Sequence, residues 1–168
     1  TIGQLLEGFA NTSFQARRLS QCVTVYERML DSGGEFSIMM GLSGAMVAAG
    51  LRKIVSDLIR HGYVDVLVTT GAIVYQDFYQ AMGYRHYKGD PNSDDVLLHS
   101  YMIDRIYDTY VDEDKFRETD VFIGKIMDEV GGGRYSTREF MSILGSRCVN
   151  DPDSILGAAF SKGVPIYC

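Results

Sequence analysis

Two short turns carry the residue types that suit the binding of a phosphate group. One reads Gly41-Leu42-Ser43-Gly44 and the other Thr69-Thr70-Gly71-Ala72, and each lies between an apolar run and a helical pattern. A glycine lets a ligand approach the backbone, and the first N–H groups of a helix attract anions together with the helix dipole. The two turns favour a site for the pyrophosphate of a dinucleotide. Because the G-x-G-x-x-G fingerprint is missing, two ordinary strand-to-helix turns remain the alternative.

The apolar runs before these turns predict strands of a buried parallel sheet. Tyr63–Thr70 reads YVDVLVTT and lacks the polar alternation of a half-exposed strand, so helices should cover both of its faces. Phe36–Met40 predicts a strand before it, and Val164–Cys168 predicts a third strand. Gly62 and Gly83 close the helices that follow the first two strands. The sequence thus predicts an α/β fold with a Rossmann-like, doubly wound and mostly parallel sheet, in which ligands bind beyond the carboxyl ends of the strands.

Local signals divide the rest of the chain into helices and one polar excursion. A capping box at Thr12-Ser13-Phe14-Gln15 predicts the start of a helix that ends at Gly33-Gly34, and a second helix is predicted over Ile73–Met82. Tyr84–Asp95 is predicted to be a surface excursion. Asp104–Val111 is predicted to be an edge strand or a hairpin arm. Three helices follow, one capped by Asp112 and ended by Gly131-Gly132-Gly133, one opened by a capping box of Ser136 and Glu139, and one from Asp151-Pro152 to Gly163.

Several polar side chains near the second turn could take part in chemistry. Tyr75, Gln76 and Asp77 follow it and could face a ligand, although Asp77 could equally compensate the dipole of its own helix. His86 lies in a polar loop, where a single histidine is typically exposed and idle, and His61 should interact with the end of a helix. Because no Ser-His-Asp, Cys-His or paired-carboxylate pattern is specific enough, the residues alone predict a nucleotide-binding α/β domain and no reaction.

Length, charge and cysteine content exclude several classes of protein. The 168 residues suit one domain, and a net charge of −6 without a basic run argues against a nucleic-acid surface. The sequence has neither an apolar run long enough for a membrane span nor the pattern of a signal peptide, so we expect a cytoplasmic protein. Cys22, Cys148 and Cys168 are odd in number and far apart, which predicts buried thiols rather than a metal site or a disulfide framework.

The last predicted strand is followed by no helix that could cover it. A doubly wound domain seldom closes in this way, because a central strand needs helices on both faces. We therefore expect residues 1–168 to form the N-terminal part of a single domain that is incomplete without a carboxyl-terminal half.

The order and spacing of five stretches resemble those of deoxyhypusine synthase, and of its archaeal-type branch in particular. The stretches read SFQARRLSQCVTVYERML, MMGLSGAMVAAGLRKIVSDLIRHGYVDVLVTTGA, HYKG, DRIYDTYV and NDPDSILGAAFSKGVPIYC. The resemblance runs from about Phe14 to Cys168, and its most specific part is the helix and strand block from Gly41 to Ala72. It implies an NAD-dependent enzyme that transfers the aminobutyl group of spermidine to one lysine of the precursor of translation initiation factor 5A. It also implies a tetramer with active sites at subunit interfaces.

The resemblance also implies which residues bind the ligands. Tyr75 and Gln76 would contact the polyamine substrate. The residues implied to bind NAD are Ser43, Gly44, Ala45, Met46, Val47, Thr70, Gly71, Ala72 and Gln76. In the family, NAD takes a hydride from the amine, an enzyme lysine carries the aminobutyl group as an imine, and the retained NADH reduces the product.

The chain departs from the pattern of the eukaryotic enzymes at three places. Tyr75 and Gln76 stand where those enzymes have two glutamates, and Gly44 stands where they have an asparagine. The catalytic lysine and the polyamine pocket of the family belong to a carboxyl-terminal half that should begin after Cys168. Lys162 matches no part of that motif, so we assign no catalytic residue and no metal ligand to this chain.

Three readings of the resemblance stay open. The chain could be the N-terminal half of a deoxyhypusine synthase, acting with a carboxyl-terminal half or a companion chain in a homotetramer or heterotetramer. It could belong to a paralogue that makes homospermidine or a related polyamine. It could also be an inactive regulatory subunit of a deoxyhypusine synthase, which the non-acidic Tyr75 and Gln76 mildly favour.

Overall fold

The computed structural model describes residues 1–33 and 36–168, which form two compact units, Thr1–Ile38 and Met39–Cys168. The first unit holds helices α1 (Ile2–Phe9) and α2 (Phe14–Asp31). The predicted start of α2 is right, but the predicted capping box is wrong. Among the described residues, Ser13 forms no capping hydrogen bond with its side chain, and its hydroxyl accepts a hydrogen bond from Arg17 instead (3.2 Å). The predicted end at Gly33-Gly34 lies partly outside the described residues, because Gly34 is not among them.

The second unit contains the remaining strands and helices. In chain order these are β1 (Met39–Gly41), α3 (Arg52–Arg60), β2 (Val66–Val68), α4 (Gly71–Ala81), β3 (Tyr87–Lys88), α5 (Asp95–Ser100), β4 (Ile103–Ile106), β5 (Thr109–Asp112), α6 (Glu113–Val130), α7 (Thr137–Arg147), α8 (Ile155–Lys162) and β6 (Ile166–Tyr167).

A parallel sheet of β1, β2 and β6 lies at the centre of this unit, with β2 in the middle. Met40 pairs with Leu67, and Leu67 pairs with Ile166. Leu67 and Ile166 are buried together with apolar side chains of α3, α4, α7 and α8, as expected for a parallel sheet covered by helices. The predicted α/β fold with a parallel sheet is confirmed, although the strands are shorter than the apolar runs that predicted them.

A second sheet orders its strands β3-β5-β4 and is antiparallel. The stretch Asp104–Val111, predicted as one edge strand or one hairpin arm, holds most of both β4 and β5 and the turn between them, so a hairpin is present but the single strand is wrong. The stretch Tyr84–Asp95 is mostly exposed, as predicted for a surface excursion, but the strand formed by Tyr87 and Lys88, which pair with β5, was not predicted. A strand of two residues is too short to show an alternation of apolar and polar residues in the sequence, so β3 forms because it pairs with β5.

The helix ends of this unit follow mostly from local sequence. Asp112 caps α6, Ser136 and Glu139 form the predicted capping box of α7, and Gly163 ends α8 in the left-handed region (φ 70°). The predicted start of the last helix at Asp151-Pro152 is wrong. Helix α8 begins at Ile155 because the Ser154 hydroxyl accepts a hydrogen bond from the N–H of Gly157 (3.0 Å).

The three cysteines differ in burial. Cys148 is buried as predicted, and burial raises the pKa of its thiol to about 12. Cys22 and Cys168 are exposed, so the prediction of buried thiols is wrong for these two. In the described part of the chain, no helix is both long enough and apolar enough to cross a membrane.

Candidate functional site

The two turns predicted from the sequence lie side by side, because they follow strands that are paired in parallel. The N–H of Leu42 donates to the carbonyl of Val68 (2.9 Å) and continues the ladder one residue beyond β1. The hydroxyl of Thr69 donates to the carbonyl of Leu42 (2.8 Å) and joins the two turns directly. The candidate phosphate-binding residues therefore share the carboxyl edge of the sheet, where ligands of parallel α/β sheets bind.

The second turn enters α4 without an intervening loop. Thr70 is the extended N-cap residue, and Gly71 and Ala72 begin the helix and are exposed. Within the described residues, the Thr70 side chain caps none of the first N–H groups of α4. These donors lie at the positive end of an 11-residue helix, so this turn offers what an anion requires.

The first turn is longer than predicted. Ser43 and Gly44 are exposed, and Gly44 has a φ of +78°, which favours glycine. The predicted helix does not follow at once. The chain forms a separate turn, in which Ala49 bonds back to Ala45 and Leu51 to Met46, before α3 begins at Arg52. The expectation that a helix N-terminus directly backs this turn is therefore wrong.

Residues of the longer turn differ in what they present to a ligand. Ala45 and Met46 are half-buried, whereas Val47 is buried in the hydrophobic core. Any contact of Val47 with a ligand would have to come from its backbone. The resemblance groups these three residues together, but the side chains of Ala45 and Met46 are partly accessible to a ligand, whereas that of Val47 is not.

The two predicted substrate-binding residues both contact the protein. Gln76 is 6% exposed, and its side-chain oxygen accepts a hydrogen bond from the N–H of Ala48 (3.2 Å). The hydroxyl of Tyr75 donates to the carbonyl of Phe116 (2.6 Å), and its ring meets the Phe116 ring edge-on. Burial raises the pKa of the Tyr75 hydroxyl above its usual value, so Tyr75 supplies no negative charge at neutral pH.

A buried ionic network, which the sequence did not predict, lies next to Gln76. The Asp77 carboxylate is fully buried and accepts hydrogen bonds from Arg52 (2.6 Å), from Ser154 (2.9 Å) and from the N–H groups of Ile155 (3.0 Å) and Leu156 (2.8 Å). Burial raises the pKa of Asp77, and the charge of Arg52 together with the two N–H groups counteracts that rise. Asp77 therefore interacts with the N-terminus of α8. It lies beyond the first turn of α4, which holds no acidic residue, so the alternative that it compensates the dipole of its own helix is wrong.

Arg52 completes this network from the start of α3. Its guanidinium also donates to the carbonyl of Asp77 (3.0 Å) and pairs with Asp151 (2.8 Å). Arg52 is the first residue of α3, where a cation opposes the helix dipole, and the carboxylates of Asp77 and Asp151 offset that unfavourable position. The sequence did not predict this network, because it placed no helix start at Arg52.

His86 is not the exposed, idle residue that the sequence predicted. Its ring is half-buried against Tyr79, and Nδ1 lies 2.7 Å from the side-chain nitrogen of Gln80. Burial, with a contribution from Arg52, lowers the pKa of His86 to about 4. His61 ends α3 and its Nδ1 lies 2.7 Å from the carbonyl of Asp57, so the predicted interaction with a helix end is confirmed.

A cavity of about 720 Å³ lies away from the predicted residues. It is formed between Tyr84 and one face of α6, where Lys115 pairs with Glu118 and lies over the Tyr84 ring. Its charged side chains are mixed in sign, and two of its three cations, Lys115 and Arg117, pair with acidic residues, so it offers less to an anion than the sheet edge does.

Adjacent turns at the carboxyl edge of a parallel sheet, one of them opening a helix, are the arrangement with which α/β domains bind nucleotides. Comparison with known proteins assigns the family. The family model of deoxyhypusine synthase matches residues 4–168, and the chain belongs to the deoxyhypusine synthase family.

Curated relatives match almost the whole chain. It is 40% identical to a deoxyhypusine synthase-like protein of Chlorobaculum tepidum over 98% of the chain and 48% of that protein. It is also 40% identical to the probable deoxyhypusine synthase 1 of Methanosarcina mazei, over 100% of the chain and 52% of that protein. The chain thus spans about half the length of the curated relatives that it matches.

A solved structure supports the fold. A crystal structure assigned to deoxyhypusine synthase from Entamoeba histolytica matches with a TM-score of 0.72 at 16% identity, covering 100% of this chain and 58% of that one. At this identity the match establishes the shared architecture alone.

Proposed function

We propose that this chain supplies the NAD-binding half of a deoxyhypusine synthase. The family implies a transferase, and the reaction would move the aminobutyl group of spermidine to a lysine of the precursor of translation initiation factor 5A. The observation that carries the proposal is the joining of two exposed turns at one sheet edge by the hydrogen bond from Thr69 to Leu42.

The residues of the two turns fit a dinucleotide. Gly71 and Ala72 are the first residues of α4, and in the described structure the Thr70 side chain does not cap their N–H groups, which could therefore bind an anion. Ser43 and Gly44 lie in the adjacent turn and are exposed. At Gly44 and Gly71, no described atom lies within 4 Å of an added Cβ, so both glycines border open space. A pyrophosphate would be held there by backbone N–H groups and the dipole of α4.

When bound, NAD would supply hydride transfer from and to the carbon next to an amine nitrogen. The residues of this chain would bind and orient it. Thr70, Gly71 and Ala72 would hold the phosphates, Ser43 to Val47 would line the opposite side through exposed side chains and backbone, and Tyr75 and Gln76 would lie behind the site. We assign no proton transfer and no nucleophile to this chain.

The partners follow from the proposed reaction. The chain would act with a carboxyl-terminal half, carried on the same polypeptide or on a companion chain, in a homotetramer or heterotetramer. Its substrates would be spermidine or a related polyamine and the factor 5A precursor, and we propose a cytoplasmic location.

A charge placed at the start of α4 tests the proposed site. In Gly71→Asp the added Cβ meets no described atom within 4 Å, and the carboxylate places a favourable charge at a helix N-terminus, so the protein should fold. The carboxylate would repel a pyrophosphate, and calorimetric titration of the full-length protein should show NAD affinity reduced at least about tenfold. The matched control is Thr137→Asp, the same charge at the exposed start of α7, which should leave NAD affinity unchanged.

A second candidate is a homospermidine-type synthase paralogue. It differs in the amine acceptor, and Tyr75 and Gln76 leave the amine substrate open, because they supply no carboxylate and their polar groups already contact the protein. Incubating the full-length protein with NAD, labelled spermidine and either factor 5A precursor or putrescine decides between the two. Label on the precursor protein supports the first candidate, and label in a new polyamine supports the second.

A further inference from the structure

We infer that Gln76 is a positioning residue of the proposed NAD site, acting on the loop between β1 and α3 rather than on a ligand. The inference rests on the proposed function, because it assigns a role within the same site. It concerns the residue that the resemblance places in contact with both the cofactor and the polyamine.

The geometry of Gln76 is that of a tether. Its side chain is buried, and its oxygen receives the N–H of Ala48, which lies in the middle of the loop that begins at Ser43. Residues 45–51 belong to no regular helix, so Ala48 lacks the support that a helix would give its N–H. A long-range hydrogen bond therefore holds the centre of the loop against α4.

The next residue of α4 fixes the end of the same loop. Asp77 holds Arg52, the first residue of α3, through the buried pair of 2.6 Å. Consecutive residues of one helix thus restrain Ala48 and Arg52, which are four residues apart. Hydrogen bonds from the N-terminus of α8 also hold Asp77 in place. They therefore fix the part of α4 from which Gln76 reaches Ala48.

In this arrangement Gln76 can position the loop without contacting the ligand. The Gln76 side chain is buried, so little of its amide group is open to a ligand, and a buried oxygen that loses its partner carries the full desolvation penalty. A ligand that displaced Ala48 would have to replace that bond. A ligand that only requires the loop in place benefits from the bond as it stands, because a preorganised loop has less conformational freedom to lose on binding.

The test measures the Ala48 amide and the NAD affinity separately in the full-length protein. Gln76→Met keeps the length of the side chain and removes the acceptor, and Gln76→Glu keeps an acceptor. Gln80→Met makes the same change one turn later, where the side chain faces His86, and serves as the matched control.

Hydrogen exchange of Ala48 without NAD should accelerate about tenfold in Gln76→Met, and NAD binding should weaken about tenfold. Ala48 should stay protected in Gln76→Glu, and Gln80→Met should change neither quantity. Weaker NAD binding in Gln76→Met with unchanged Ala48 exchange would show direct contact and overturn the inference. Faster exchange with unchanged affinity would also overturn it.

The proposed function can fail on its own in the same experiment. If the unsubstituted protein binds no NAD, the proposed cofactor site is wrong. The exchange of Ala48 in the absence of NAD still reports whether Gln76 restrains the loop.

Discussion

The two turns at the edge of the parallel sheet are built in different ways. The turn after β2 passes from Thr70 straight into α4, so its shape follows from the residues of the turn itself. The turn after β1 runs on to Arg52 before a helix begins, and side chains of α4 hold it in place. One turn is shaped locally, whereas the other depends on residues that are distant in sequence.

This difference determines where substitutions should act. A change at Thr70, Gly71 or Ala72 in the second turn should alter ligand binding with little effect on folding, because these residues are exposed. A change that affects the first turn should alter stability as well, because the buried residues that hold it also fasten α8 to the core. Substitutions that weaken the support of the first turn should therefore have the largest effects on stability.

Removal of the Asp77 carboxylate should have the largest effect. Asp77→Ala would leave Arg52 buried without its closest partner and would free the N–H groups of Ile155 and Leu156. The free energy of unfolding, measured by urea denaturation, should fall by about 3–5 kcal/mol.

A double substitution serves as the control for that loss. Arg52→Met with Asp77→Leu removes both charges, so no unpaired charge is buried, and it should be less destabilised than Asp77→Ala alone. A loss below about 1 kcal/mol in Asp77→Ala would mean that the network does not support the first turn.

Alanine at Gly44 should strain the first turn. Gly44 has a φ of +78°, and a side chain in this region costs about 1–2 kcal/mol. Gly71→Ala is the matched substitution in the second turn, where φ is not positive and no described atom lies within 4 Å of the added Cβ. Thermal unfolding should show a lower Tm for Gly44→Ala and an unchanged or higher one for Gly71→Ala, and equal losses would remove the distinction between the turns.

Protonation of His86 should weaken the far end of α4. The pKa of His86 is lowered to about 4 in the fold, so between its ordinary value near 6.5 and about 4 the unfolded chain binds the proton first. Stability is therefore present above pH 6.5 and falls as the pH drops towards 4. The loss should be about 1 kcal/mol, less than the full shift implies because the ring is partly exposed.

Comparison with His86→Gln isolates this contribution. The substituted protein lacks the titrating group, so its unfolding free energy should fall less between pH 7 and pH 4. Parallel pH curves for the two proteins would show that His86 is not held neutral by its surroundings.

The smallest effect should come from the bond that joins the turns. Thr69→Val removes the hydroxyl that donates to Leu42 and keeps the shape of the side chain, so the unfolding free energy should drop by about 0.5–1 kcal/mol. Thr70→Val, the same change at an exposed residue with no capping role in the described structure, should cost less. A larger loss of unfolding free energy in Thr70→Val than in Thr69→Val would mean that the Thr69 hydroxyl is not the one that joins the two turns.

The sequence predicted the parts of the fold that depend on local patterns. The apolar run before Thr70 identified the central strand, and the Ser136 and Glu139 capping box fixed the start of α7, because both signals lie within a few residues. It missed β3, which is too short to show a period and depends on pairing with β5.

In the candidate site, too, only the features that depend on local patterns could be predicted from the sequence. Thr70 and Gly71 could be selected because a strand end, a glycine and a helix start are visible together in the sequence. The length of the first turn and the partners of Gln76 and Asp77 could not, because they depend on contacts between residues far apart in the chain. Tertiary contacts of this kind leave no periodic signal in a single sequence.

The most direct test of the proposed NAD site is amide hydrogen exchange of the full-length protein with and without NAD. Saturating NAD should slow exchange at Gly71 and Ala72 in one turn and at Ser43 and Gly44 in the other, at the same NAD concentration. Protection of both turns with one midpoint would mean that they form a single site. Protection of one turn without the other, or of neither, would contradict the claim that the two turns bind the dinucleotide together.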